Sequence, residues 1–310
     1  MNQALPRAVD GERRMIPFGG QRLAVYLSDR CLRPEDVGAT PLMLIHSVNA
    51  TASAAEIKPL FDLYAPTRPV LALELPGFGS SDRFDRRYDP VFMKDAIVTA
   101  LAYLKRLGLG GAADVMAVSL SCEFVARAAI EQPERFRSVA LISPTGLEGW
   151  RRESYAGGAT RKNRWLLAVL RCRAWSAALF TVLTYRPSLR WFLQRVWGSR
   201  AIDEGLLEYG YLSARQTGAR YAPFAFIAGA LFTRGVAELY RGLAIPVWIA
   251  YGSRGAFADC DGVQRLGARA RWRRDRFDTG ALPYFEAIEE FKVCYDAFSG
   301  RVELAGRRSR

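Results

Sequence analysis

Five short segments of the chain carry almost no polar position: PLMLIHS (41–47), PVLALEL (69–75), ADVMAVS (113–119), SVALIS (138–143) and PVWIAYG (246–252). Near-continuous hydrophobicity over so short a span predicts strands buried on both faces of a parallel sheet. An earlier segment, RLAVYLS (22–28), alternates instead and predicts an antiparallel strand near the start. Between these runs lie stretches with helical spacing. PVFMKDAIVTALAYLKRLGL (90–109) ends near Gly108, and CEFVARAAIEQPERF (122–136) runs until Pro133, each a residue that stops a helix. Strands and helices in alternation predict an α/β fold, a doubly wound and mostly parallel sheet with helices on both faces. Ligands of such sheets sit at the carboxyl ends of the strands.

The alternation stops after residue 144. From 145 to 243 no strand-like run occurs, only helical, aromatic and arginine-rich sequence such as RKNRWLLAVLRCRAWSAALFTVLTY, and strand character resumes at Ile245. A wholly helical stretch between two sheet strands reads as an inserted lid. The predicted organisation is a core of residues 15–144 and 244–300, a lid of residues 145–243, and termini 1–14 and 301–310.

Three segments carry the chemistry. LIHSVNA (44–50) closes a strand, LELPGFGSSDR (73–83) is a glycine-rich turn, and VMAVSLSCEFVARAAIEQPERFRSVALISP (115–144) joins a strand to a helix through Ala117-Val118-Ser119-Leu120-Ser121. A serine presented on a sharp strand-to-helix turn needs tiny residues two positions to either side. Alanine and serine are the smallest substitutes for glycine, so Ser119 fits such an elbow, and Leu120 supplies a backbone N–H for an oxyanion hole. Together the three segments resemble the α/β-hydrolase superfamily over roughly residues 15–300, with Glu74 where the family carries Asp. The resemblance implies the α/β-hydrolase fold, Ser119 at the nucleophile position, and an oxyanion hole and pocket involving His46, Ser47, Val48 and Leu120.

The same resemblance calls for an acid and a histidine, because a hydroxyl is a poor nucleophile until an oriented base takes its proton. Neither stands at its expected place. After PVWIAYG the family reads Gly-x-x-Asp, and GSRGAFADC puts Gly255 there; after the last strand it reads Gly-His-x-Pro, and DTGALPYFE puts Ala281 there. His46, the one histidine of the chain, falls in the oxyanion segment, where the family's histidine is structural. Asp259 and Asp261 lie just past the acid position and read as solvated loop residues. Glu148 falls late for the alternative acid of some relatives, and Cys122 reads as a small packing residue rather than a substitute nucleophile. The prediction is a kept serine elbow with a degenerate triad at Gly255 and Ala281.

Composition refines this picture. The chain has 44 Lys plus Arg against 31 Asp plus Glu, a net +13, which favours anionic partners and equally serves solubility. Residues 145–243 hold 15 basic and six acidic side chains among many Trp, Leu and Phe. Basic, aromatic helices of this kind lie in membrane interfaces, so peripheral membrane contact through the lid is one expectation. Two arginines inside WLLAVLRCRAWSAALFTVLTY argue against a transmembrane helix. With no recognisable nucleic-acid module, nucleic acid is not an expected partner. The five cysteines (Cys31, Cys122, Cys172, Cys260, Cys294) are odd in number and scattered, which predicts free thiols and no structural zinc, and no cofactor is expected. The charged N-terminal residues show no apolar signal, so a cytoplasmic protein is expected. A sheet-end cavity under aromatic lid residues (Trp165, Trp175, Phe180, Tyr185, Trp191, Phe192, Trp197) suits a hydrophobic small molecule. The leading expectation is a non-hydrolytic relative that binds such a molecule or acts as an accessory protein in a pathway handling one. The alternatives are a serine esterase-like hydrolase or lyase using Ser119 with a non-standard base, and an interaction protein docking through its basic lid.

Overall fold

The apolar runs form the middle of one eight-stranded sheet in the computed structural model, which describes residues 4–147, 160–255, 260–267 and 269–308. At one edge β1 (Glu12–Phe18) and β2 (Gln21–Leu27) make an antiparallel hairpin turned by Gly19 and Gly20, both at positive φ. The remaining strands run parallel: β3 (Leu42–Ile45), β4 (Val70–Leu73), β5 (Ala113–Val118), β6 (Phe136–Ile142), β7 (Val247–Gly252) and β8 (Trp272–Phe277). The spatial order is β1-β2-β4-β3-β5-β6-β7-β8. From β3 the chain steps outward to β4 and then returns past β3 to β5. Strand order reverses there, so the carboxyl ends of β3 and β5 flank the crevice of the sheet.

Both faces of the sheet are covered, as the continuous apolar runs require. Met43, Ile45, Val115 and Ala117 face one side, where α2 (Pro90–Arg106) and α3 (Ser121–Glu131) bury Met93, Ile97, Phe124 and Val125. Their neighbours Leu42, Leu44, Met116 and Val118 face the other side. There α1 (Lys58–Tyr64) contributes Leu60 and Phe61, and the C-terminal helices bring Phe291 and Tyr295 against Trp248, with Tyr284 edge-on to Phe291. The start of α2 is set locally: Asp89 accepts the Phe92 N–H at 3.0 Å, and Pro90 occupies the first turn.

Between β6 and β7 the described residues form six helices: α4 (Arg164–Leu170), α5 (Ser176–Leu183), α6 (Arg186–Trp197), α7 (Glu204–Ala214), α8 (Tyr221–Ile227) and α9 (Val236–Arg241). Their own small core joins Leu167, Leu170 and Phe180 to Phe224, with Phe180 edge-on to Phe224 at 5.6 Å. After β7 come α10 (Cys260–Arg265), α11 (Pro283–Glu286) and α12 (Ile288–Arg308). The two strands that the hydrophobic pattern does not announce, β1 and β8, are the two edges of the sheet. Four of the six residues of β8 are charged, which suits an edge and hides it from a search for apolar runs.

At the amino-terminal end of β5 the sheet holds one buried charge. Asp114 is fully buried, pairs with Arg68 at 2.7 Å and with Arg137, and accepts the Ser138 hydroxyl at 2.6 Å. Burial alone would raise the Asp114 pKa, but the hydrogen bond from Arg137 and the charges of both arginines hold it below the ordinary carboxylate value. A depressed folded-state pKa gives stability that is present above the unfolded value and lost as pH falls through the folded one. Asp114→Asn is therefore expected to cost about 3 kcal/mol near neutral pH, by leaving two arginines without their counter-charge. Chemical denaturation should also show a smaller loss of stability than wild type on going below about pH 4.

Candidate functional site

The chain turns sharply from β5 into α3 at Ser119, whose φ of +56° lies in the left-handed region. Three hydrogen bonds fix the turn. The Ser119 N–H donates to the Ile142 carbonyl at 2.8 Å, the Cys122 N–H to the Ser119 carbonyl at 3.1 Å, and the Ser121 hydroxyl to the His46 carbonyl at 2.6 Å. Ala117 and Ser121 are fully buried on either side, which is why only small residues fit there. Among the described residues nothing hydrogen-bonds the Ser119 hydroxyl, which faces a cavity of about 440 Å³ at the carboxyl ends of the strands.

The oxyanion segment runs alongside. His46 is fully buried: the Leu75 N–H donates to its Nε2 at 3.1 Å, so its proton sits on Nδ1, which donates to the Ser47 carbonyl. Burial drives its pKa down to about 4. The ring is neutral, has both nitrogens engaged, and does not line the cavity. Ser47 and Val48 do line it. Of these two expected donors Ser47 is withdrawn, because its N–H goes to Glu56 at 2.8 Å. The N–H groups of Val48 and Leu120 are in buried residues and have no hydrogen-bond acceptor among the described residues. Val48 stands in the cavity wall and Leu120 directly follows Ser119 in the chain.

Glu56, on the 3-10 turn Ala54–Ile57, is a cavity residue that the sequence reading does not single out. Its carboxyl accepts both the N–H and the hydroxyl of Ser47, the latter at 2.7 Å, and burial raises its pKa to about 7. No spacing rule flags it; the only hint is an acidic residue in an otherwise apolar stretch after the oxyanion segment. Glu123, in the first turn of α3, is likewise buried and raised to about 7 by desolvation. It accepts the Thr145 hydroxyl at 3.0 Å and the Thr233 N–H at 2.8 Å, tying the elbow helix to the helical segment above. Glu74, where the resemblance calls for Asp, is fully buried, accepts the N–H of Ala54 at 3.0 Å and of Ser80, and so shapes the glycine-rich turn.

The loops at the expected acid and base positions close against α6. A Cβ on Gly255, at φ +90°, would lie 2.8 Å from the carbonyl oxygens of both Arg195 and Val196. At Gly280 a Cβ would stand 2.5 Å from the Trp197 backbone. Ala281 lines the cavity, but its N–H donates to Val196 at 2.9 Å and its carbonyl accepts the Ser143 hydroxyl at 2.7 Å. Among the described lining residues the ionisable side chains are Glu56 and Arg161. Asp261 sits exposed on α10 and away from the cavity, while Glu148 and Asp259 lie outside the described residues. Cys122 is fully buried, its thiol donates to the Ala117 carbonyl at 3.2 Å, and burial pushes its pKa up. Among the described residues no cluster of three or more His, Cys, Asp or Glu could hold a metal ion.

The roof differs from the expected aromatic one. Of the seven aromatics anticipated there only Phe192 lines the cavity; Phe180 and Trp197 are buried elsewhere, and Trp165, Trp175, Tyr185 and Trp191 are exposed. Leu189, Leu193, Leu206 and Leu207 with Phe226 and Phe232 complete the apolar side.

The close approach at Gly255 makes a direct prediction. Gly255→Asp, the change that would put the acid back, is expected to lower the melting temperature by several degrees, since it combines an unfavourable φ with overlap on the α6 carbonyls, together costing about 2 kcal/mol or more. A melt equal to wild type would show that α6 yields easily.

No protein-family model matches the sequence, and no curated protein matches it in sequence. Solved structures do match in shape. A serine hydrolase involved in carbazole degradation superposes with a TM-score of 0.70 at 14% identity, covering 94% of this chain and 99% of that one. A 2-hydroxy-6-oxo-6-phenylhexa-2,4-dienoate hydrolase from a Rhodococcus strain gives 0.69 at 16%, with 94% and 99% covered. A bacterial membrane phospholipase A described as a virulence factor gives 0.68 at 18%, with 96% and 88% covered. With its elbow, its sheet order and these neighbours, the chain has the α/β-hydrolase fold.

Proposed function

We propose that this protein keeps the α/β-hydrolase scaffold without running Ser-His-Asp hydrolysis, and that it binds a hydrophobic or amphipathic small molecule in the cavity over Ser119. The observation that carries this reading is the composition of the cavity wall: Ser119 faces a space whose described ionisable neighbours are Glu56 and Arg161, with no imidazole among them. Glycine and alanine hold the positions where the family's acid and base would stand. The cavity suits a small apolar guest with a polar end. Leucine and phenylalanine from the helical segment supply one side, and Ser47, Asn49, Thr145 and Glu56 supply the other. The role is that of a carrier or of an accessory protein in a pathway that handles such molecules.

One observation favours a second reading, in which Ser119 works with a non-standard base. Glu56 shares the cavity and titrates near neutral pH, where a carboxylate is a useful general base. In that case ester turnover would rise as pH increases through about 7 and would vanish in Glu56→Gln.

The two readings separate in one assay. Purified protein is expected to hydrolyse p-nitrophenyl esters barely above background across pH, with Ser119→Ala and Glu56→Gln each changing the rate less than about twofold, because losing the base removes most of the catalytic effect. Robust turnover abolished by Ser119→Ala would overturn the non-hydrolytic reading. In parallel, a fluorescent apolar dye should bind the native protein and be displaced by medium-chain fatty alcohols. Absence of dye binding would remove the ligand half of the proposal.

A further inference from the structure

From Arg161 to Arg200 the chain carries nine basic residues and no acidic one; the next carboxylate is Asp203. This stretch contains α4, α5 and α6. The inward sides of α4 and α5 are satisfied, with Leu167, Leu170 and Phe180 packed on Phe224 and Ala228. Their outward sides are also apolar. Trp165 is 85% exposed, Val182 66% and Val169 53%, joined by Leu166, Leu183 and Trp175. Apolar residues all round a short surface helix leave a face with no work to do in water. The Trp175 indole donates to the Val169 carbonyl at 2.9 Å, which brings the end of α4 and the start of α5 together on that face.

The cations around the face divide into two sets. Arg171, Arg186 and Arg190 pair with Asp85, Glu208 and Glu204. Lys162, Arg164, Arg173 and Arg200 are exposed and have no carboxylate partner among the described residues. Unpaired cations flanking exposed Trp, Val and Leu are complementary to one kind of surface, an apolar layer bordered by anionic headgroups. A nucleic acid would match the charge and leave Val169, Val182 and Leu183 exposed. No helix among the described residues is long and apolar enough to cross a membrane, so the contact is one of lying on the surface.

We propose that the outward face of α4 and α5, with Trp165, Trp175, Val169 and Val182 inserting and Lys162, Arg164 and Arg173 flanking them, docks this protein on an anionic lipid bilayer. The adjoining α6 turns Leu189, Phe192 and Leu193 into the cavity and contacts α5, so the docked surface lies next to a helix of the cavity roof. This docking does not depend on whether Ser119 reacts.

Sedimentation of the full chain with vesicles tests it. Vesicles of phosphatidylcholine and phosphatidylglycerol in equal parts are expected to carry the protein down at low salt and to release it at high salt, while pure phosphatidylcholine vesicles leave most of it in solution. Trp165→Ser with Val182→Ser should lower the partition coefficient about tenfold, and Lys162→Gln with Arg173→Gln about thirtyfold. These four side chains lie outside the cavity and the cores, so dye binding in the cavity should match wild type in both variants. Protein that stays in solution with the anionic vesicles, or variants that sediment as wild type does, would overturn the proposal. Binding to RNA or to an acidic protein in place of the vesicles would assign the face to that partner and overturn it equally.

Discussion

Ser119 sits in a backbone conformation that costs a residue with a Cβ about 1–3 kcal/mol, and such strain persists only where the surroundings over-determine it. The constraint that does so is the triangle of β3, β5 and β6. The Ile142 carbonyl holds the Ser119 N–H, the Ser121 hydroxyl reaches across to the His46 carbonyl, and buried Ala117 and Ser121 leave no room for any other path. Everything at the site is placed by that turn. It fixes where the hydroxyl emerges and aligns α3, and among the described residues the N–H groups of Leu120 and Val48 have no acceptor. His46 belongs to this framework as a neutral, doubly bonded wedge, and its depressed pKa keeps it so through the physiological range.

The opposite wall of the cavity obeys a different constraint. Three backbone segments meet there without side chains between them: the end of α6, the loop after β7 at Gly255 and the loop after β8 at Gly280. The Ala281 N–H bonded to Val196 completes the seam. At Gly255 the volume a side chain would take belongs to the carbonyls of Arg195 and Val196. The end of α6 lies directly on the loops that follow β7 and β8. The seam joins the roof to the sheet ends, Glu286 accepts the Gly280 N–H there at 2.7 Å, and Glu56 and Glu123 nearby are both raised toward neutrality by burial.

How much of this could be read beforehand follows from the physics of each part. Strands buried on both faces declare themselves by unbroken hydrophobicity, so β3 to β7 are legible, and the Ala-x-Ser-x-Ser frame places the turn because sterics at an elbow admit little else. The edges are not legible by that signal: β1 and β8 need only one buried side, and the Arg-Arg-Asp-Arg of β8 hides it. Glu56 escapes notice because its importance comes from three-dimensional burial and from the Ser47 groups that meet it, neither of which has a spacing in sequence. The aromatic residues of the helical segment mislead for the complementary reason. Trp165 and Trp191 have the composition of a cavity roof, but on short helices packed by one side only, half of such residues face outward.

A protein that does not hydrolyse through Ser119 requires a Ser119 hydroxyl without a working base. Intact-mass spectrometry of the purified protein after exposure to a fluorophosphonate, which reacts rapidly with an activated serine, reads this directly. The expected result is an unmodified chain at neutral pH over hours, with any slow labelling unchanged by Glu56→Gln. Rapid addition of one phosphonate group, lost in Ser119→Ala, would contradict the account and show that the elbow still carries a working nucleophile.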